Sequence, residues 1–325
     1  MEEQVFQNRV DLSGLQLAVT NIKREVNKII VGQDNMIELL IAAVLADGHV
    51  LIEGVPGVAK TLSAKLLART MKVGFSRIQF TPDLMPSDII GTSIYNLKTS
   101  EFEFKQGPLF SNIVLIDEIN RAPAKTQSAL FEAMEERQIT VDGKTYLLAP
   151  PFIVLATQNP VEQEGTYRLP EAQLDRFLFK IEVDYPTLDD ETKIIGDYHA
   201  SKNKIDINSV IGVMNASEVA DYREKVGHVH IDANLISYIA KIVNQTRNNS
   251  SLYLGASPRA SLAILTSSKA IAAMRGRDFV TPDDVKFVAS HVLKHRVILT
   301  PEKEMEGITT KDVIKGIIEK IEIPR

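Results

Sequence analysis

The stretch that decides the fold spans residues 54–61 and reads Gly54-Val55-Pro56-Gly57-Val58-Ala59-Lys60-Thr61. It follows a short apolar strand, Val50–Ile52, and opens a predicted helix, Thr61–Met71. This is the context of a phosphate-binding loop, in which backbone N–H groups and a helix N-terminus surround an anion. In such a loop the lysine reaches the β- and γ-phosphates and the threonine hydroxyl ligates Mg²⁺. The segment, continued by Leu62, is therefore predicted to bind ATP with Mg²⁺.

One residue of this loop departs from the general pattern, which has glycine just before the lysine. Here that residue is Ala59, whose Cβ is tolerated if the local φ is negative. We expect a negative φ at this position and do not treat the alanine as disabling.

A second signal is the pair of acids that follows the apolar run Ile113–Ile116. An all-apolar run of this length is typical of a strand buried on both faces of a parallel sheet. Asp117 and Glu118 are then expected at the carboxyl edge of that sheet, where ligands bind in open α/β folds. Asp117 is suited to hold Mg²⁺ through water, and Glu118 to act as the general base on the attacking water. Alone the pair could equally lie in a solvated loop; the phosphate-binding loop upstream favours the functional interpretation.

Two further polar residues follow the predicted strands. Asn159 comes after the buried run Phe152–Ala156, from where an amide can reach a γ-phosphate or the attacking water, although Asn-Pro alone more often marks a turn. Arg176 ends the predicted short helix Pro170–Arg176, where an arginine without context usually just complements the helix dipole. Their positions after the acidic pair favour function for both.

The alternation of strands and helices up to residue 185 predicts a doubly wound α/β core with a parallel sheet. Two segments, 93–105 and 138–148, interrupt it and are each expected to form a β-hairpin, the second around Asp142-Gly143. From Asp189 onward only helical periods are visible. We therefore place the nucleotide-binding core, with N-terminal helices, at residues 1–185 and a helical domain at residues 186–325.

Composition excludes several classes of protein. The 325 residues contain no cysteine, which rules out disulfides, thiolate zinc sites and a cysteine nucleophile. The formal net charge is −5, which gives no bulk attraction for nucleic acid. No apolar run approaches the roughly 20 residues that span a bilayer, and Met1–Asp11 lacks the apolar segment of a secretory signal. We expect a cytoplasmic protein.

Taken together, these residues resemble the core of the AAA+ ATPases over most of residues 30–300. The resemblance implies that Asn159 is the polar residue called sensor one. It implies that Arg176 is an arginine finger, which a subunit supplies to the γ-phosphate bound by its neighbour. It also implies ATP hydrolysis with Mg²⁺, a five-stranded core and a helical lid.

The same resemblance extends to two segments outside the core motifs. The segment expected beside the adenine comprises Val31, Gly32 and Gln33. Ser257-Pro258-Arg259 resembles the sensor-two motif of the lid, with Arg259 as its arginine. Whether Arg259 acts in its own subunit or across an interface stays open.

Within the AAA+ class, the two hairpins resemble the insertions of the helix-two-insert clade. The amino-acid sequences of three stretches are similar to those of the MoxR family. These stretches are residues 53–61, residues 117–122 and residues 169–177. The resemblance implies a ring of identical subunits, commonly a hexamer. It further implies a chaperone-like role in maturing other proteins, often with partners that carry von Willebrand factor A domains.

Three other functions compete with this one. Basic residues on the hairpins would support a nucleic-acid motor, but acids offset the basic residues that lie on or beside them: Lys98, Lys105, Arg137 and Lys144 against Glu101, Glu103 and Asp142. An enhancer-binding transcription activator would need a G-A-F-T-G-A loop in the first insertion, which is absent. A small-molecule kinase would need neither Arg176 nor the hairpins and lid. We also expect polar-surface roles for His291 and His295, and a possible phosphate contact or a plain basic turn for Arg275-Gly276-Arg277.

Overall fold

The computed structural model describes residues 10–159, 169–202 and 204–323. Most of the segment Met1–Asp11, and with it the expectation of no secretory signal, lies outside these ranges. Within them the strands are β1 (His49–Gly54), β2 (Phe75–Gln79), β3 (Gly91–Asn96), β4 (Glu101–Gln106), β5 (Ile113–Asp117), β6 (Gln138–Val141), β7 (Lys144–Leu147), β8 (Ile153–Gln158), β9 (Phe177–Val183), β10 (Leu252–Leu254) and β11 (Ile298–Leu299).

The α-helices follow the predicted periods closely. They are α1 (Ser13–Val26), α2 (Asp34–Leu45), α3 (Lys60–Thr70), α4 (Pro86–Ile90), α5 (Ala124–Glu136), α6 (Glu171–Leu174), α7 (Leu188–Ala200), α8 (Ala216–Gly227), α9 (Ala233–Arg247), α10 (Pro258–Met274), α11 (Pro282–Leu293), α12 (Pro301–Met305) and α13 (Thr310–Lys320). None of these described helices is long and apolar enough to cross a membrane.

The described residues form one parallel sheet of five strands in the order β2-β5-β8-β1-β9. The predicted α/β core is thereby confirmed. Because all five strands run the same way, their carboxyl ends share one edge of the sheet and their amino ends share the opposite edge. The loop 54–61, the acidic pair and Asn159 all follow strand ends, so they meet at the carboxyl edge.

Alternate residues of the central strands enter two apolar cores, one on each face of the sheet. On β5, Ile113 and Leu115 belong to the core formed with α1–α3 and the lid, whereas Val114 and Ile116 belong to the core formed with α5 and the second hairpin. Each of these side chains is fully buried, and burial of one such side chain stabilises the fold by roughly 1.5–3 kcal/mol. The period of two explains why these strands read as unbroken apolar runs.

Both predicted hairpins are present. β3 pairs antiparallel with β4, and β6 with β7. The hairpins contact each other through stacked rings of Phe104 and Tyr146, whose centroids are 4.4 Å apart, and through a hydrogen bond of 2.5 Å from Ser93 to Asp142.

The C-terminal half is the predicted helical lid, with one addition. A short antiparallel ribbon of β10 and β11 lies between its helices, and two-to-three-residue strands leave too little pattern to be seen in a sequence. The predicted helix start at Thr281 is confirmed, with a capping box to Asp284. β9 ends at Val183 and α7 begins at Leu188, so the boundary at residues 185 and 186 stays a prediction within this linker.

The buried histidines have structural roles. The ring of His49 bridges the Met134 carbonyl (3.1 Å) and the Val154 N–H (2.9 Å). His295 Nε2 lies 2.9 Å from the Phe177 carbonyl. Among the described residues no group of three or more His, Asp or Glu side chains could hold a metal ion. His295 is buried and His291 is half-buried, so the expectation of a polar surface role is wrong for His295.

Lowering the pH should weaken this fold in part through His49. Burial, reinforced by the charge of Arg137, lowers the pKa of His49 from 6.5 to about 3. Between those values the unfolded chain binds a proton that the folded chain does not, so stability falls as pH falls, by up to about 1.4 kcal/mol per pH unit.

We expect the urea midpoint of the wild type to fall more steeply between pH 7 and pH 5 than that of His49→Gln. His291 and His295 are present in both proteins, so the difference in slope reports His49 alone. Equal slopes would show that His49 titrates normally in the folded chain.

Candidate nucleotide-binding site

The loop 54–61 connects the end of β1 to the first turn of α3, as predicted. Gly54 pairs with Val183 on β9, where a Cβ would lie 2.7 Å from the Val183 carbonyl, so only glycine fits. Gly57 has a φ of +90°, a left-handed conformation that favours glycine. The eleven-residue helix α3 directs its N-terminus at this loop, which is the geometry of an anion site.

The expectation of a negative φ at Ala59 is wrong. Ala59 has φ 60° and ψ 17°, in the left-handed region. The preceding Val58 is buried and the following Lys60 opens α3, so the tertiary structure fixes the turn and Ala59 must adopt it. A Cβ in this region costs roughly 1–2 kcal/mol, which explains why the general pattern has glycine here.

The ammonium of Lys60 lies over the loop and donates a hydrogen bond to the Gly54 carbonyl. Burial lowers the pKa of Lys60, and the charges of Asp117, Glu118 and Glu53 oppose that shift. These carboxylates therefore lie close enough to act on Lys60. The structure thus brings the lysine of the loop and the acidic pair of β5 into one site, as predicted.

Asp117 ends β5 and is buried, with each carboxylate oxygen already paired. Oδ2 accepts a hydrogen bond of 2.6 Å from Arg77 Nε, and Oδ1 one of 3.2 Å from the Thr157 hydroxyl. The Arg77 guanidinium shows that this position accepts a cation. The oxygens of Asp117 and of Thr61, in the first turn of α3, are the ligand type that Mg²⁺ prefers, so the residues fit a Mg²⁺–nucleotide.

Glu118 is held in a strained and tightly bound position. Its φ of 56° and ψ of 54° are left-handed, a conformation that clusters at functional sites. Its Oε2 accepts from Gln79 Nε2 at 2.6 Å and lies 3.2 Å from Arg121 Nε. Its backbone N–H donates to the Thr157 hydroxyl at 3.0 Å. The ion pair places Arg121 beside Glu118 in its own chain.

Sequence reasoning missed Gln79, Arg77 and Thr157 as members of this site. Gln79 ends β2, directly opposite Asp117 in the strand register. The order of strands in the sheet would have revealed it, but a sequence alone does not give that order. Asn159, which was predicted, follows β8, and β8 lies between β5 and β1. It therefore sits beside both the acidic pair and the loop, partly buried.

The segment expected beside the adenine also lies next to the loop. Gln33 Nε2 donates to the Asp184 carbonyl at 3.4 Å, just after the end of β9 that pairs with Gly54. Val31 borders a cleft of about 230 Å³ whose apolar wall includes Ile194 and Tyr198 of α7. Gly32 has φ +73° and packs so closely on Asp190 of α7 that a Cβ would lie 2.6 Å from its carboxylate.

Arg176 lies at the opposite edge of the sheet. The next residue, Phe177, pairs with His49 at the amino end of β1, whereas the loop begins after Gly54. The intervening length of strand is about 17 Å at 3.3 Å per residue, longer than an arginine side chain. Arg176 therefore does not reach the loop of its own chain.

Arg259 shares this amino edge with Arg176, because both contact Glu135 near the end of α5. Glu135 Oε1 lies 3.0 Å from Arg259 Nη2, and Oε2 lies 3.6 Å from Arg176 Nε. Arg176 also donates to the Phe131 carbonyl at 2.5 Å. The end of α5 is fixed at this edge, since Arg137 donates to the Phe152 and Asp47 carbonyls.

The basic turn Arg275-Gly276-Arg277 is structural. Both arginines bind the fully buried carboxylate of Asp284, at 3.0 Å and 2.6 Å. Burial tends to raise the pKa of Asp284, but hydrogen bonds from Arg277 and Thr281 lower it on balance. These guanidinium groups are therefore committed to the lid core rather than to a phosphate.

Comparison with known proteins gives a consistent picture. Residues 49–179 match the family described as "ATPase family associated with various cellular activities (AAA)", and residues 244–317 match "AAA lid domain". The chain is similar to the uncharacterized protein YeaC of Bacillus subtilis, with 47% identity over 92% of each chain. It is similar to Chaperone MoxR1 of Mycobacterium tuberculosis, with 43% identity over 96% of this chain and 85% of the relative.

Among solved structures, the chain resembles that of a proposed ATPase from Cytophaga hutchinsonii. The TM-score is 0.89 and the identity 45%, over 95% of this chain and 96% of the other.

Replacing Ala59 with glycine should stabilise the protein. The left-handed conformation costs Ala59 roughly 1–2 kcal/mol, while glycine adds about 0.4–1 kcal/mol of unfolded-state entropy. We expect a net gain of about 0.5–1 kcal/mol in the free energy of unfolding, measured by denaturant titration. Ala64→Gly, inside helix α3, is the matched control and should lower the free energy of unfolding. A loss of stability in Ala59→Gly would contradict the left-handed assignment.

Proposed function

The chain belongs to the MoxR family of AAA+ ATPases, and from that premise we propose that it hydrolyses ATP at sites shared between neighbouring subunits of a ring. The observation that carries this proposal is the separation of the two halves of the site. The loop 54–61 and the acidic pair lie at the carboxyl edge of the sheet, and Arg176 lies at the amino edge. One chain keeps these two halves apart, and this separation supports completion of the site by a second copy.

The residues of the carboxyl edge divide the chemistry among them. Bound ATP with Mg²⁺ supplies the γ-phosphoryl group and a divalent charge on its oxygens. When nucleotide is bound, the Lys60 ammonium would exchange the Gly54 carbonyl for the phosphates, and Thr61 and Asp117 would hold the Mg²⁺. The Glu118 carboxylate must first be released from Gln79 and Arg121. It then accepts a proton from the attacking water. Asn159 orients that water or the γ-phosphate.

The base and ribose of the nucleotide are assigned to the side of the loop where the core meets α7. Val31, Gly32 and Gln33 lie there together with the cleft of about 230 Å³. The remaining backbone of the loop, Val55 through Ala59, surrounds the phosphates, and Leu62 packs behind them against the core.

The amino edge supplies the arginines. Arg176 acts as the finger on the neighbour's γ-phosphate, where its charge stabilises the negative charge of the transition state. Because Arg259 shares Glu135 with Arg176, we assign Arg259 to the same neighbouring site rather than to its own. The shared contact with Glu135 supports this choice between the two alternatives.

We propose that this ring acts on other proteins as its substrates rather than on nucleic acid. The first hairpin exposes Leu97 and Phe102, which are 86% and 73% accessible, next to the acids Glu101 and Glu103. Apolar exposed tips beside acids suit a protein client better than a phosphate backbone. The relative Chaperone MoxR1 is named as a chaperone. We propose a chaperone-like assembly role for this chain as well. It would act as a hexamer on clients that include von Willebrand factor A domain proteins.

The test of shared-site hydrolysis is steady-state ATPase activity against protein concentration, with wild type and Glu118→Gln side by side. A shared site predicts specific activity that rises with concentration as subunits associate, and that is lost in Glu118→Gln. A constant specific activity down to concentrations at which sizing shows monomers would contradict it.

Arg176→Ala should keep ATP binding and lose turnover. In related P-loop enzymes an arginine finger contributes about 10³–10⁵ in rate. We expect the affinity for a fluorescent ATP analogue to stay within a few fold, while kcat falls by about 10³ or more. Lys303→Ala is the control, since Lys303 pairs only with nearby Glu306 among the described residues. Turnover of Arg176→Ala within a few fold of wild type would show that Arg176 is not the finger.

A further inference from the structure

Asp175, the residue before Arg176, is bound by the lid. Its Oδ1 accepts a hydrogen bond of 2.7 Å from Arg296 Nε, and its Oδ2 one of 3.0 Å from the Ser257 hydroxyl. Arg296 follows α11 and Ser257 precedes α10, so both partners belong to the lid. The turn that carries the finger is thereby attached to the lid at two points.

Arg296 is built into this junction with every donor used. Its guanidinium has five N–H groups, and each has an acceptor. Nε binds the Asp175 carboxylate; Nη1 binds the Leu178 and Val292 carbonyls; Nη2 binds the Asp175 and Phe177 carbonyls. The side chain is only 3% exposed. A buried arginine with complete hydrogen bonding allows little displacement of the turn it holds, because any shift leaves a buried donor unpaired.

The bond from Ser257 to Asp175 takes the place of the helix-capping bond that a serine at this position usually makes. Serine at the N-cap position of a helix usually bonds the backbone of the first turn. Here the Ser257 side chain makes no such capping bond within the described residues of α10 and donates instead to Asp175. Two residues later stands Arg259, the second arginine of the amino edge.

These contacts connect Arg176 and Arg259 by two routes. Asp175 joins the turn of Arg176 to the turn of Arg259 through Ser257, and Glu135 joins the two guanidinium groups directly. We propose that Asp175, fixed by Arg296, is a positioning residue that holds Arg176 and Arg259 in fixed register as one unit for the neighbouring ATP site. This inference rests on the proposed shared site.

The test uses Asp175→Asn and Ser257→Ala, each compared with wild type for kcat and for the KM of ATP. Misplacement of a catalytic group by about 1 Å can cost 10²-fold in rate. We expect kcat to fall roughly 10- to 100-fold in Asp175→Asn and several fold in Ser257→Ala, with KM within about threefold of wild type. Ser257→Thr, which keeps the hydroxyl, should restore kcat. Asp283→Asn changes an exposed lid carboxylate in the same chemical way and should leave kcat unchanged.

Mixed assemblies separate positioning from a loss of structure. A Glu118→Gln subunit has an inactive acidic pair but intact arginines, so it should complete the site of an Asp175→Asn subunit and recover activity, whereas Ser257→Ala is judged by its own kcat and by the rescue in Ser257→Thr. Lys60→Ala mixed with Glu118→Gln is the negative control, because both changes disable the same half of the site. Since Ser257→Ala removes no capping bond and no charge, it carries the test even if Asp175→Asn does not fold.

Wild-type kcat in both Ser257→Ala and Asp175→Asn would overturn the inference, and so would a loss in folded Asp175→Asn that Glu118→Gln subunits do not restore or a loss in Ser257→Ala that Ser257→Thr does not reverse. Arg176→Ala, mixed in the same way, distinguishes the two levels of the proposal. If Glu118→Gln subunits fail to complement Arg176→Ala, the shared site itself is wrong. If they complement Arg176→Ala while the Ser257 and Asp175 variants stay at wild-type kcat, only the positioning role is wrong.

Discussion

The common direction of the parallel strands is the constraint on which the rest of this structure depends. It gathers the loop after β1, the acids after β5 and the amide after β8 at one edge of the sheet. The same constraint places Arg176, which precedes β9, at the other edge. A strand of six residues is about 17 Å long between these edges. No side chain bridges that distance, so the separation of the two half-sites follows from topology rather than from any single contact.

Each charged group of the two half-sites has a partner within its own chain in this structure. Lys60 binds the Gly54 carbonyl, Asp117 binds Arg77, and Glu118 binds Gln79 and Arg121. At the other edge one carboxylate, Glu135, binds both arginines. Since buried or half-buried charges are costly to leave unpaired, these internal bonds stabilise the chain without nucleotide. In the proposed shared site, nucleotide and a neighbouring subunit would replace these bonds, which would couple binding and assembly to rearrangement of the site.

The sequence was sufficient for the α/β core, both hairpins and the helical lid, because short apolar runs such as Ile113–Ile116 alternate with helical periods and turn residues. It failed where tertiary structure overrides local preference or where strand order matters. Ala59 is left-handed because its neighbours fix the turn, and Gln79 enters the site because β2 lies beside β5. The ribbon of β10 and β11 is too short for a pattern, and the bond from Ser257 to Asp175 joins residues 82 positions apart.

The central claim, that the two half-sites of different subunits meet, is tested most directly by cross-linking. The chain contains no cysteine, so cysteines placed by Pro56→Cys and Arg176→Cys in one double variant are the only thiols. Both positions are at least partly exposed, and within a chain they are separated by the length of β1. A bismaleimide about half as long as that strand should link different chains in the double variant, giving a ladder above dimer in the presence of ATP. Each single variant should give at most dimers. Monomers alone, at concentrations where sizing shows assembly, would contradict the account.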